Sequence, residues 1–108
     1  MAGATNPTPR PAPPAELSPA THDFLKALAS PTRQRIMLLF FDGARLSVGD
    51  VAERAGISQS TASQQLALLR RGRVVTSERQ GKTVLYQGDN AGMKAAIAEL
   101  QAYLEVCC

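Results

Sequence analysis

The sequence predicts a mainly α-helical domain with one β-hairpin, the winged helix-turn-helix class, dimerising through its terminal helices. Three observations lead there. Two successive Ser-Pro steps, Ser18-Pro19 and Ser30-Pro31, each place a capping hydroxyl before a proline suited to the first helical position. A short capped helix is then followed, across Gly56, by a second amphipathic helix. After Gly72 the apolar period drops from about 3.6 residues to about 2, as at a change from helix to strand.

Each element follows in order. Residues 1–17 contain Pro7, Pro9, Pro11, Pro13 and Pro14. Proline lacks an amide donor and disfavours the helical region for the residue before it, so this stretch is expected to be a disordered tail. The folded domain is expected over 18–108. Its first helix runs from Ser18 to about Ala29, with Phe24, Leu25 and Leu28 on one side. A second helix is expected over 32–42, stopped by Gly43. Its run Ile36, Met37, Leu38, Leu39, Phe40 and Phe41 is apolar all round, as for a helix at the domain centre. Ser47 and Asp50 form a capping pair for a third helix that Gly56 ends. The fourth spans 59–71. Strands are expected over 73–78 and 82–87, with Arg79-Gln80-Gly81 as the turn. A last helix starts near Asn90, capped by Asp89.

Composition narrows the function. Twelve Lys and Arg against nine Asp and Glu give a net charge of +3, which permits a polyanionic partner without requiring one. The distribution is more telling. Arg70, Arg71, Arg73, Arg79 and Lys82 crowd in or near the hairpin, where Glu78 is the only acid. The longest apolar run, 36–41, falls far short of the ~20 residues of a membrane crossing. No apolar segment near the N-terminus resembles a secretory signal. Cys107 and Cys108 are the only cysteines, and adjacent cysteines rarely close a structural disulfide, so a reducing cytoplasm is the expected location.

The fourth helix carries the functional signal. At about 100° per residue, Ala62, Leu66 and Leu69 fall on one face and must meet the core. Opposite them lie Ser60, Ser63, Gln64, Ala67 and Arg71: short or amide-bearing side chains, with no acid between Arg54 and Ser77. Such a face suits a major groove, where Gln pairs with adenine and Ser with several bases. Ser58 and the free backbone amides at the helix start, and Arg70 and Arg71 at its end, suit phosphates, and Gln59 and Thr61 join the DNA-binding candidates. Arg79 and Lys82 flank the hairpin tip, within reach of a minor groove or backbone. Few aromatics are present to stack single-stranded bases, so duplex DNA is expected over RNA.

Three motifs then carry a resemblance. ALASPTRQRI at 27–36 resembles the opening signature of the ArsR/SmtB family of bacterial repressors. ISQSTASQQLALLR at 57–70 is similar to that family's recognition helix, and GKTVLY at 81–86 to the second half of its wing. The resemblance runs from about Ser18 onward. It implies a homodimer that represses its own operon and leaves DNA when an inducer binds. The residues themselves support a dimer. Met93, Ile97, Leu100, Leu104 and Cys107 alternate spacings of four and three, a narrow seam suited to a partner helix or to the first helix of the same subunit.

The inducer is less legible. Where the family's arsenic and cadmium sensors carry a Cys-x-Cys pair, the resemblance places Ser47 and Gly49, neither a soft ligand. Its zinc site would fall near Asn90, Gly92, Tyr103 and Val106, and His22, read as a surface residue, is the only histidine. Cys107 and Cys108 remain. Near a dimer axis they could gather soft ligands around As(III) or another soft metal ion, or respond to an oxidant. Equally, Cys107 could simply end the apolar seam, and an inducer that uses no cysteine stands as a third reading. No enzymatic constellation is present: there is no His-centred triad, no phosphate-cradling Gly loop, and the acids are scattered. The competing class is a winged-helix adapter that binds proteins.

Overall fold

A computed structural model describes residues 16–108, so the expectation for the proline-rich stretch lies outside the described residues except at Glu16 and Leu17. The chain forms α1 (Pro19–Leu28), α2 (Pro31–Leu38), a 3-10 turn (Phe41–Gly43), α3 (Val48–Ala55) and α4 (Gln59–Arg71). The strands β1 (Val75–Gln80) and β2 (Thr83–Gly88) follow, then α5 (Asn90–Cys107). This is the winged helix-turn-helix arrangement.

Local chemistry explains most boundaries. Ser18 and Ser30 cap α1 and α2 by accepting the amides of Thr21 and Arg33. At α3 the capping box is complete: Ser47 Oγ accepts Asp50 N–H at 3.1 Å, and Asp50 Oδ2 accepts Ser47 N–H at 3.0 Å. The backbone N–H of Ser47 holds the Asp50 carboxyl below the usual carboxylate range, with the Ser47 hydroxyl adding to it.

Two boundaries differ from expectation. The second helix ends at Leu38 rather than near Asp42, because Asp42 (φ 59°) and Gly43 (φ 73°) both turn left-handed and swing the chain toward Leu46. The apolar run is therefore not uniformly central. Ile36 and Phe40 are buried, whereas Leu38 and Phe41 are 74% and 75% exposed. The hairpin is also displaced along the sequence. Gln80 pairs with Thr83, so the turn is the two-residue Gly81-Lys82, with Gly81 at the positive φ (64°) that tight hairpins favour. Arg73, at φ 61°, closes the end of α4 by donating to Arg70 O, which delays β1 to Val75.

The core gathers Phe24 and Ala27 of α1, Ile36, Leu46, Val51, the α4 face Ala62-Leu66-Leu69, Val74, Val75 and Ala96. Ala62, Leu66 and Leu69 are fully buried, as the sequence requires. Each leucine contributes about 1.5–3 kcal/mol through its buried surface. Burial of this one face orients the other toward solvent. The hairpin is anchored separately: Leu46 N–H donates to Tyr86 O at 2.9 Å and Tyr86 N–H to Leu46 O at 2.7 Å, an antiparallel bridge just before α3.

At the far side, α5 packs on α1. Glu99 accepts Ser18 N–H at 2.6 Å and the Ser18 hydroxyl at 2.8 Å, tying the start of α1 to α5. The Ser18 amide, then its hydroxyl, lower the Glu99 pKa, with Thr21 and His22 acting in the same direction. A carboxylate with a lowered folded-state pKa stabilises the fold fully above its unfolded value, and that contribution is lost as pH falls through the folded value. Glu99→Gln is therefore expected to flatten the acid side of a melting-temperature profile, between neutral pH and the range below ordinary carboxylates. An unchanged acid limb in the variant would show that this tie carries no pH-dependent stability.

Candidate nucleic-acid interface

The turn between α3 and α4 is set by Gly56, left-handed at φ 68°, whose amide closes the end of α3 on Ala52 and Glu53 carbonyls. Ile57 and Ser58 complete it. Ser58 Oγ accepts Thr61 N–H at 3.0 Å and donates to Thr61 Oγ1 at 2.9 Å. Thr61 is thus half-buried and engaged in the cap, while Ser58, Gln59 and Ser60 are exposed. Gln59 leans back on α3: its Nε2 would stand 3.3 Å from a Cβ at Gly49, so the small residue there makes room for it.

Ser60, Ser63, Gln64, Ala67, Arg70 and Arg71 are all exposed. Most of them form one face of α4, with no acid on that helix, two basic side chains at its carboxyl end and the helix-dipole positive end at its start. Arg79 lies on β1 and Lys82 at the hairpin tip, both exposed. The one acid of the hairpin is countered: Arg45 Nη2 lies 3.6 Å from Glu78 Oε1, the only ion pair among the described residues. With both side chains well exposed, that contact shapes the local field more than it stabilises the fold. The sequence-predicted DNA residues therefore fall into two groups, α4 and the wing tip, and the Leu46–Tyr86 bridge ties the wing to the segment that leads into α3.

Sequence reasoning missed the group that fixes α4 against α1. Arg33 donates from Nε to Ala27 O at 2.9 Å, from Nη2 to Lys26 O at 2.8 Å, and from Nη1 to Gln65 Oε1 at 2.9 Å. One planar guanidinium thus caps the end of α1 and grips the side of the fourth helix. The signal available was an arginine at the third position of α2, two residues past the Ser-Pro step, with a glutamine one residue past Gln64 on α4. Gly72 is the second missed element. A Cβ there would stand 2.7 Å from Ala27 Cβ and 2.8 Å from Asp23 O, so α1 and the end of α4 approach as closely as backbone allows.

The seam residues separate. Met93 packs against the protomer's own core, whereas Ile97 and Leu104 are 52% and 53% exposed. With Leu100 they line a shallow groove of about 420 Å³. Cys107 and Cys108 are exposed at the end of α5 and joined as a vicinal disulfide, contrary to the expectation that adjacent cysteines stay apart. Cys108 is the C-cap of α5, its N–H donating to Leu104 O at 3.4 Å. Among the described residues, no group of three or more His, Cys, Asp and Glu could hold a metal ion, and His22 is exposed. No helix among them is long and apolar enough to cross a membrane.

Comparison with known proteins bears on this geometry. A helix-turn-helix domain family model matches residues 28–78. The transcriptional activator HlyU of Vibrio cholerae is 40% identical over 73 residues, covering 68% of this chain and 67% of that protein. Its solved structure superimposes with a TM-score of 0.61 at 36% identity, over 76% of this chain and 88% of that one. The transcriptional repressor SmtB of Mycobacterium tuberculosis is 37% identical over 75 residues, 69% of this chain but only 55% of SmtB. The solution structure of Mb0332 from Mycobacterium bovis, a homodimeric winged helix-turn-helix DNA-binding domain, matches with a TM-score of 0.63 at 26% identity. It covers 80% of this chain and 79% of that chain.

Proposed function

Because this chain belongs to the ArsR/SmtB family of winged helix-turn-helix transcriptional regulators, we propose that it is a homodimeric repressor that binds a specific duplex operator and is released by an inducer. The observation that carries this reading is the exposed, acid-free face of α4. Its Ser60, Ser63, Gln64 and Ala67 can enter a major groove while Arg70 and Arg71 meet phosphate. Arg79 and Lys82 extend contact to a flank. The unpaired apolar face of Ile97, Leu100 and Leu104 supports self-association, in keeping with the homodimeric relative. A two-fold dimer would set two reading helices about one DNA turn apart on a near-palindromic site. Its work is binding, not catalysis, and a cytoplasmic location follows from that role.

For the inducer, we take Cys107 and Cys108 as the receiving groups. Their reduced form offers two exposed adjacent thiols at the end of the proposed dimer seam, a ligand pair suited to As(III). The test is fluorescence anisotropy of the reduced full chain on duplex DNA from upstream of its gene, with salt and then arsenite titrated. Binding is expected to fall steeply with salt, and arsenite to release the DNA. The Cys107→Ser, Cys108→Ser variant should bind equally and ignore arsenite. Wild-type indifference to arsenite removes As(III) as the inducer and leaves the thiols to dimer packing, oxidant sensing or no role, and salt-independent or absent binding favours the adapter class.

A further inference from the structure

A hollow of about 160 Å³ opens beside α4, between the last turn of α1 and the start of α2. Lys26, Arg33 and Arg71 bring three positive charges to its wall, Asp23 brings one negative charge, and Leu68 supplies an apolar floor. Asp23 forms no ion pair with any of the three, Arg45–Glu78 being the only such pair among the described residues. Arg33 spends its hydrogen bonds on Ala27, Lys26 and Gln65, which fixes its charge in place. Lys26 and Arg71 are exposed. The hollow has the charge of an anion site, and it shares Arg33 with the α1–α4 grip and Arg71 with the exposed face of α4.

Its position relative to the reading face decides the ligand. Leu68 follows Gln64 by one helical turn, and Arg71 follows it by two, so the hollow borders the same stripe of α4 that would enter the groove. A helix with its side chains is roughly 10–12 Å across, about the width of the major groove, so its flanks must run against the phosphates of the groove walls. Gln64 directed to base edges turns the Leu68–Arg71 flank toward one wall, and the hollow receives what that wall carries. We infer that the corner formed by Lys26, Arg33 and Arg71 is a second backbone-phosphate site, which extends the DNA footprint from the helix-turn-helix onto α1. This rests on the reading of α4 as the groove-entering helix. Lys26 is a phosphate ligand, Arg33 a fixed charge behind it, and Asp23 a built-in limit on affinity.

The experiment compares wild type, Lys26→Ala and Asp23→Asn, as the full chain, on an operator duplex and a scrambled duplex across a salt series. Neutralising one phosphate contributes about 0.9 to the slope of log affinity against log salt. Lys26→Ala is expected to shallow that slope by about 0.9 per protomer on both duplexes, leaving the ratio between them unchanged. Asp23→Asn should tighten both duplexes by a similar factor. Circular dichroism melts confirm that each variant folds. Wild-type slope and affinity in folded Lys26→Ala would overturn the phosphate site while leaving the reading helix intact, provided Gln64→Ala still erases operator preference. A Lys26→Ala loss confined to the operator would also overturn it, since phosphate contact carries no sequence. Failure of wild type to bind either duplex fails both readings together.

Discussion

Replacing Gln64 and Arg71 together with alanine is expected to erase preference for the operator and to weaken binding to it by roughly two to four powers of ten. A well-placed bidentate pair to a base is worth about 1–3 kcal/mol of discrimination, and a two-fold dimer makes each contact twice. At about 1.4 kcal/mol per tenfold, the two Gln64 contacts alone span about one and a half to four decades. Arg71 adds a charge contact that acts on any sequence. Both side chains are exposed and neither touches the core, so the melting temperature should hardly move. Anisotropy on operator and scrambled duplexes reads the outcome. Normal operator affinity in the folded double variant would remove α4 from the role of base reader.

The largest stability effect is expected at Gly72. A methyl group there must displace Ala27 Cβ and Asp23 O, which stand 2.7 and 2.8 Å from where it would lie, and one of those is backbone. Overpacking of this kind typically costs 1–3 kcal/mol, and the rigid neighbour places Gly72→Ala near the upper end, at about 3 kcal/mol. Since α1 and α4 would be forced apart, the Arg33 grip on Gln65 should loosen as well, and operator affinity should fall with stability. Chemical denaturation gives the first quantity and anisotropy the second. A stability within half a kcal/mol of wild type would mean that the helices separate at almost no cost.

What could be read from the sequence was what local chemistry decides. Ser18, Ser30, Ser47 and Ser58 each cap the helix that follows, and Gly56 ends α3 where its positive φ allows. The limits of α4, its buried stripe and its exposed face all follow from about 3.6-residue periodicity, so most of the candidate interface was legible. The end of α2 was not. Residues 36–41 are apolar throughout, and only the distant pairing of Leu46 with Tyr86 shows why the chain must turn at Asp42 and Gly43. The reach of Arg33 to α1 and Gln65 depends on how three helices cross. The inward turn of Met93, while Ile97 and Leu104 of the same seam stay exposed, depends on what α5 meets and leaves no mark in local sequence.

The Leu46–Tyr86 bridge has a metric consequence. Two hydrogen bonds of 2.9 and 2.7 Å fasten the hairpin, at Tyr86, to the residue that precedes the capping box of α3, so the wing is tied to the helix-turn-helix at a fixed point. If α4 enters a groove and Lys82 meets a flank, this tie would hold the interval between the two contacts near one value. Base changes inside a site would be graded by contact energy, whereas one inserted pair between groove and flank would break the match outright. Such a protein tolerates a misspelled word more readily than a shifted margin.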